Sequence, residues 1–227
     1  MALVDDDVID ILGEAAARQG LHAANLHGRV RAAPSVIADE ALGIGLAVKH
    51  LVDLGHLRIA YLVSTSAPSS VETARLNAYR EALLANDIVP REGWVHDMRD
   101  MGGMLERGRF GMDAWLRDGF LQQGCTALMV QNDRAALGAM DVLVAAGIRV
   151  PDDLSVIGFD STSECEVMRP RLTSVRIPLE TIGSNAVHIL TRTLRDEPVP
   201  AKTVFPATLD VRDSTGAPRA TNHRTPF

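Results

Sequence analysis

The sequence contains few of the side chains on which nucleic-acid binding depends. Only 4% of its 227 residues are aromatic, which disfavours a surface on which bases could stack. Its 29 acidic residues outnumber the 23 basic ones, and the formal net charge is -6. Affinity for a phosphate backbone needs clustered Lys and Arg, so this chain alone is expected to bind DNA poorly.

Cysteine and long apolar runs are also scarce. Cys125 and Cys165 lie far apart, with neither the paired spacing of a zinc site nor a disulfide framework, so we interpret both as free thiols in a reducing compartment. The amino terminus contains no Lys or Arg and is acidic from Asp5 to Asp7, whereas a signal peptide begins with basic residues followed by an apolar run. No stretch approaches the ~18 consecutive apolar residues of a membrane span. We therefore predict a cytoplasmic protein with no membrane partner.

The common enzyme motifs are missing as well. There is no nucleophile elbow, P-loop, zinc-protease helix or dinucleotide-binding glycine motif. The pair His96 and Asp97 could form a general base with its orienting carboxylate, but no nucleophile accompanies it. No metal-ligand spacing connects the four preceding histidines, His22, His27, His50 and His56. We predict that the chain is not an enzyme and has no catalytic residue, metal or cofactor.

What the sequence does contain is a regular alternation of strand and helix patterns. Continuous apolar runs at residues 58–63, 126–130 and 154–159 predict strands that are buried on both faces. Helical patterns lie around them, at residues 42–54, 71–85 and 132–146. This order predicts an α/β fold built from parallel βαβ units with right-handed crossovers. Beyond Asp160 we predict a polar loop at 161–170, an extended segment at 172–177 and a helix at 178–194.

Polar side chains follow each predicted strand. Ser69 and Ser70 lie in a run of hydroxyl residues after the first strand, and Arg75 follows one helical turn later. Asn132 and Asp160 follow the next two strands. Ligands of open parallel sheets bind at the carboxyl ends of the strands. Hydroxyls, an amide, a guanidinium and a carboxylate suit the hydrogen bonds of a neutral polyol such as a sugar.

Each of these residues also has a purely structural interpretation. Asn132 or Asp133 could simply cap the following helix. Asp160 could order the next loop through an Asx-turn. Arg75 could be a solvated helix charge, and the serine run an ordinary loop. Their joint placement at one sheet edge favours a binding site.

Five segments resemble, in order and spacing from about residue 34 to 215, the conserved blocks of the lactose-repressor (LacI/GalR) family. They lie at residues 47–60, 132–138, 150–160, 170–175 and 212–215. The third, from Val150 to Asp160, is nearly identical to the family's "VP-x-D-[IL]-SV-[IV]-G-[FY]-D" block.

This resemblance implies a periplasmic-binding-protein-like fold of two Rossmann-like parallel-sheet subdomains, with the effector in the cleft between them. The crossings between subdomains are then expected near Asp39, Arg176 and Phe205. We predict a partial amino-terminal subdomain, a carboxyl-terminal subdomain and a flexible tail, at residues 1–39 with 177–204, 40–176 with 205–216, and 217–227, respectively.

The resemblance also implies roles for single residues. Arg75 matches the family arginine that contacts effector hydroxyls or carboxylate, and Asn132 and Asp160 match its effector-contacting amide and carboxylate. Asp39 lies at the expected hinge, and His27 stands where the family often has Asp or Arg.

The family begins with a DNA-binding helix-turn-helix, whereas residues 1–40 look like the late part of the first subdomain. We therefore expect the DNA-binding head and the start of that subdomain to be absent from this chain. The predicted function is that of an effector-sensing and dimerisation domain of a transcription regulator. Its predicted partners are a sugar-like effector and a second copy of the chain, with DNA contacted only through the missing head. The alternative is a sugar-binding protein of a transporter, which the absence of a signal peptide disfavours.

Overall fold

A computed structural model describes residues 34–65, 70–98 and 102–219, and the elements are numbered within these ranges. The strands are β1 (Ser35–Ala38), β2 (Ile59–Val63), β3 (Val95–Asp97), β4 (Ala127–Val130), β5 (Ser155–Asp160), β6 (Thr173–Arg176), β7 (Lys202–Phe205) and β8 (Thr208–Asp210). The helices are α1 (Glu40–Asp53), α2 (Ser70–Leu84), α3 (Met104–Arg117), α4 (Asp133–Ala145), α5 (Glu164–Val167) and α6 (Leu179–Thr193), with 3-10 turns at Glu92–Trp94 and Phe120–Gln123.

The larger sheet has six strands in the order β3-β2-β4-β5-β6-β8. All its pairs are parallel except β6 with β8, which is antiparallel. The chain runs outward from β2 to β3 and then returns to the other side of β2 to form β4. The strand order therefore reverses between β2 and β4, which is where doubly wound sheets bind ligands. The predicted α/β fold with parallel sheets is confirmed.

A smaller sheet pairs β1 with β7 in parallel, from Ser35 opposite Lys202 to Ala38 opposite Phe205. Three connections join it to the larger sheet: β1 leads into α1, β6 leads into α6, which contacts β1, and β7 leads into β8. These connections lie beside Asp39, Arg176 and Phe205, where the crossings were expected. The assignment of chain segments to two subdomains remains a prediction.

Helices cover both faces of the larger sheet, which is why its strands are continuously apolar. Every residue of β2 and β4 is buried. Along β2, Ile59, Tyr61 and Val63 pack into one core, whereas Ala60 and Leu62 pack into the core on the opposite face. Each fully buried aliphatic side chain contributes about 1.5–3 kcal/mol, so these strands anchor the loops at their ends.

Helices α3 and α4 approach closely because each contributes a glycine to the contact. A Cβ added to Gly108 would lie 2.0 Å from the Ala135 carbonyl oxygen, and one added to Gly138 would lie 2.0 Å from the Leu105 carbonyl oxygen. Gly108 and Gly138 therefore lie within α3 and α4. These glycines allow the backbones of the two helices to touch, and they do not interrupt either helix.

The structure departs from the sequence prediction in a few places. Helix α1 begins at Glu40, two residues before the predicted start, because the Asp39 carboxylate accepts a hydrogen bond from the Leu42 amide and caps it. The predicted loop at 161–170 contains the one-turn helix α5, which buries Cys165. Residues 1–33 of the predicted partial amino-terminal subdomain and residues 220–227 of the predicted tail lie outside the described residues. Within the described ranges, none of the helices is long and apolar enough to cross a membrane.

Candidate functional site

The candidate site is a group of polar side chains at the carboxyl edge of the larger sheet, beside the point where the strand order reverses. Loops after β2 and β4, the end of β5 and the first turns of α1 and α2 converge there. We call this group the edge cluster, and it consists of Glu40, Glu72, Arg75, Gln131, Asn132 and Asp160.

Arg75 is a buried member of the edge cluster with partners on two other segments of the chain. It is only 7% exposed, and its guanidinium lies 3.6 Å from the centroid of the Phe159 ring. Nε donates to Glu40 Oε2 at 2.6 Å, and Nη1 donates to the Gln131 carbonyl oxygen at 2.8 Å. Burial opposes its charge, but the adjacent Glu40 carboxylate, with smaller contributions from Tyr61 and Asp160, keeps the pKa of Arg75 above its ordinary value. The interpretation of Arg75 as a solvated helix charge is therefore wrong.

Asp160 faces Arg75 from the end of β5, with Oδ1 4.0 Å from Arg75 Nη2. Its φ of 104° lies in the left-handed region, which costs a non-glycine residue about 1–3 kcal/mol. Burial raises the pKa of Asp160 to about 7; Arg75 opposes this shift, and the carboxylates of Asp133 and Glu40 add to it. Near neutral pH the Asp160 carboxyl group can therefore either accept or donate a hydrogen bond.

Asp133 supports Asp160 from beneath the sheet edge. Its buried carboxylate accepts hydrogen bonds from Ser174 Oγ at 2.5 Å and from the Thr162 amide at 2.7 Å. A Cβ on Gly158 would lie 2.4 Å from Asp133 Oδ1, so the glycine makes room for this carboxylate. Burial raises the pKa of Asp133, and its hydrogen bonds, first that from Ser174, act against the shift. Asp133 thus fixes the segment immediately after Asp160. The sequence identified it as a polar residue after the strand at 126–130 and as a possible helix cap.

Asn132 caps α4. Its Oδ1 accepts a hydrogen bond from the Ala135 amide at 2.9 Å, so the capping interpretation of this residue is correct. The side chain is half-buried, and capping uses the oxygen but not the NH₂ group. Asn132 can therefore both cap the helix and offer two donors to a ligand.

Gln131 connects the parts of the edge cluster. Its Oε1 accepts from the Ser64 amide at 2.7 Å, its side-chain amide donates to Glu72, and its carbonyl oxygen accepts from Arg75. These bonds hold the loop after β2, the first turn of α2 and the end of β4 together.

Glu40 and Glu72 did not emerge from the sequence as candidates. Glu72 precedes Arg75 by three positions on α2, a spacing that places two side chains on one helix face and could have suggested it. Glu40 approaches Arg75 from a distant part of the chain, and local spacing contains no signal for that contact.

The remaining sequence candidates have mixed outcomes. Asp39 caps α1 at the connection out of β1, and its carboxylate is engaged there. Ser70 begins α2, and only its backbone is described. His27 and Ser69 lie outside the described residues. Over residues 34–65, 70–98 and 102–219, no three His, Cys, Asp or Glu side chains are grouped as a metal ion would require.

The chain matches the family model of the periplasmic binding protein-like domain over residues 48–215. The HTH-type transcriptional regulator GalR of Escherichia coli K12 is 35% identical over 201 residues, which are 84% of this chain and 54% of that protein. The lactose operon repressor of the same organism is 33% identical over 189 residues, which are 81% of this chain and 49% of that protein. The chain thus spans about half the length of these curated relatives.

Solved structures agree with the sequence matches. The crystal structure of a LacI family transcriptional regulator from Enterococcus faecium with bound ribose superposes with a TM-score of 0.80 and 25% identity, covering 92% of this chain and 76% of that one. Sequence relatives and structural neighbours therefore point to the same group, and this chain belongs to the LacI/GalR family of transcription regulators, within their periplasmic-binding-protein-like domain.

Proposed function

We propose that this chain senses a small-molecule effector, a sugar or related polyol, and forms a homodimer as the regulatory part of a DNA-binding transcription regulator. The observation that supports this most strongly is Arg75. A buried guanidinium is held over Phe159 and fixed beside Asp160, at the sheet edge where open α/β folds bind ligands. Such a charge is costly to bury for packing alone.

The proposed effector contacts are Arg75, Asn132 and Asp160, with Asp39, Ser69, Ser70 and His27 as further candidates. Arg75 retains N–H groups that its present partners do not use, and Asp160 can exchange donor and acceptor roles near pH 7. Vicinal hydroxyls of a sugar match such a set. The ribose bound by the Enterococcus faecium regulator is consistent with this ligand class.

The geometry also suggests how binding could be transmitted. Glu40, which holds Arg75, is the first residue of α1 and directly follows the connection out of the small sheet. An effector that accepts hydrogen bonds from Arg75 would change the contact between Arg75 and Glu40. This change would favour one relative position of the two sheets over another, which is a population shift between two states. We expect DNA to be contacted by a helix-turn-helix segment, as the names of the relatives indicate, and not by the edge cluster.

The alternative is a solute-binding protein of a sugar transporter, which has the same fold. The comparisons favour the regulator, because the matched relatives are transcription regulators. The two functions differ in what binding must do: a regulator changes DNA occupancy, whereas a transport protein delivers its ligand to a membrane partner.

A thermal-shift panel of sugars, polyols and nucleosides tests the proposal. An effector at 100 times its Kd stabilises the native state by about 2.7 kcal/mol, which for a chain of this size corresponds to a rise in Tm of roughly 5–10 °C. Asp160→Asn, which keeps the shape of the side chain, is expected to abolish the rise. Asp118→Asn, at an exposed carboxylate, is the matched control and should retain it. An equal rise in the Asp160→Asn variant would exclude this site.

A further inference from the structure

The edge cluster contains more negative than positive charge. Arg75 is the cation among the described groups that act on Asp160, whereas Glu40 and Asp133 act on it as carboxylates. Glu72 adds another carboxylate at the opposite end of Gln131. An incoming ligand therefore meets a surface with excess negative charge, although it is built around an arginine.

The charge of Arg75 is already compensated. Glu40 binds its Nε directly, Asp160 Oδ1 lies 4.0 Å from its Nη2, and the face of the guanidinium rests on Phe159. The N–H groups that remain can bind hydroxyl oxygens. A phosphate or carboxylate group, in contrast, would have to displace Glu40 or lie against Asp160. Like charges brought together in a partly desolvated site strongly disfavour binding.

Neighbouring arginines do not reverse this balance. Arg176 lies opposite Asp160 in the sheet register, but its guanidinium is paired with Asp210. Arg212 is paired with Asp210 and Glu166. Both arginines are thus neutralised by their own carboxylates.

A neutral hydrogen-bonding group lies next to these charges. The hydroxyl of Tyr61, a residue only 1% exposed, has no hydrogen-bond partner among the described residues. The charged groups that act on it are Arg75, Glu40 and Glu72. A buried hydroxyl without a partner is uncommon, and this one adds a polar group beside the edge cluster without adding positive charge.

We propose that Glu40 makes the edge cluster selective for charge, so that it binds neutral or amino-substituted polyols and rejects phosphorylated or carboxylated ones. The inference rests on the proposed function, in that the effector is taken to occupy the edge cluster. Glu40 is then a specificity-determining residue that acts through Arg75. Its carboxylate leaves the remaining N–H donors of Arg75 available to a ligand and cancels the attraction of the guanidinium for anions.

Inorganic phosphate serves as a probe of this charge balance without any knowledge of the effector. The Tm of the full chain is measured in increasing phosphate against chloride at constant ionic strength, so that general screening cancels. Glu40→Gln keeps an oxygen for Arg75 Nε and removes the charge. We expect it to lower the phosphate concentration at half-maximal stabilisation at least tenfold relative to wild type. Glu81→Gln, at an exposed carboxylate of α2, the helix that carries Arg75, is the control and should behave as wild type. If Glu40→Gln does not fold, Glu40→Ala removes the same charge and provides the test.

A second arm uses matched sugars: glucose and galactose, each with its 2-amino and 6-phosphate derivatives. For a sugar that raises the Tm of the wild type, we expect the amino derivative to retain the rise and the phosphate derivative to lose it. Equal phosphate responses in wild type and Glu40→Gln, or a stronger response of wild type to a phosphorylated sugar, would overturn the charge selectivity. The absence of a response to every sugar would instead count against the proposed ligand class, and the phosphate arm would still decide the role of Glu40.

Discussion

The polar groups at the two edges of the larger sheet differ in charge and in how fully they are paired. At the amino edge, before β2, β4 and β5, the buried groups are neutral. His56 is 1% exposed; its Nε2 donates to the Gly216 carbonyl at 2.8 Å, and its Nδ1 lies 2.8 Å from Thr126 Oγ1. Ser214 Oγ donates to the Val156 carbonyl and accepts from the Thr173 amide. These bonds attach residues 214–216 to the sheet.

The carboxyl edge has the opposite character. It contains several carboxylates around one arginine, a carboxyl group whose pKa is raised to about 7, a non-glycine residue at positive φ and a buried hydroxyl without a described partner. Each of these features costs stability. We propose that the amino edge serves stability and the carboxyl edge serves binding, since strained and incompletely paired groups persist where a ligand uses them.

The largest effect that separates the edges is expected from His56→Ala. Removing this side chain leaves Thr126 and Gly216 without their partner and opens a cavity, so the free energy of unfolding should fall by about 3 kcal/mol. Urea denaturation measures this loss. His188→Ala, at an exposed position on α6, should change it little. Because the amino edge is distant from the edge cluster, effector-induced stabilisation should survive; its loss in the folded variant would contradict the division between the edges.

The two edges should also respond to pH with opposite signs. Burial lowers the pKa of His56, so the folded state binds fewer protons there than the unfolded state, and its contribution to stability is lost as the pH falls below 6.5. Burial raises the pKa of Asp160 from 3.8 to about 7, so the folded state binds more protons there. Its contribution therefore falls as the pH rises from about 4 to about 7.

Asp160→Asn isolates the contribution of the carboxyl edge. The variant should be more stable than wild type at pH 8 by about 1–2 kcal/mol, a value reduced because a third of the side chain is exposed and solvent screens it. The difference should shrink as the pH falls towards 4. Urea denaturation at several pH values measures both slopes. A difference that grows at low pH would show that Asp160 is stabilised as a carboxylate and would invalidate the assigned role of burial.

The sequence predicted the elements and edges of this fold better than the contacts within the site. Continuous apolar runs identified β2, β4 and β5, because strands buried on both faces need apolar side chains at every position. The same logic placed Asn132 and Asp160 at one edge. The contact between Glu40 and Arg75 joins residues 35 positions apart, and the support that Asp133 receives from Ser174 spans 41. Such contacts depend on tertiary packing, and local sequence patterns do not predict them.

The smallest expected effect concerns Asn132, which combines the properties of both edges in one side chain: a structural cap through its oxygen and free donors through its NH₂ group. Asn132→Ser keeps a capping oxygen and removes the amide donors. It should change the free energy of unfolding by less than about 0.5 kcal/mol, whereas Asn132→Ala should lower it by about 1 kcal/mol. If the amide contacts the effector, both variants should weaken effector-induced stabilisation equally. Wild-type stabilisation in Asn132→Ser would assign Asn132 to helix capping alone and leave the binding role to Arg75 and Asp160.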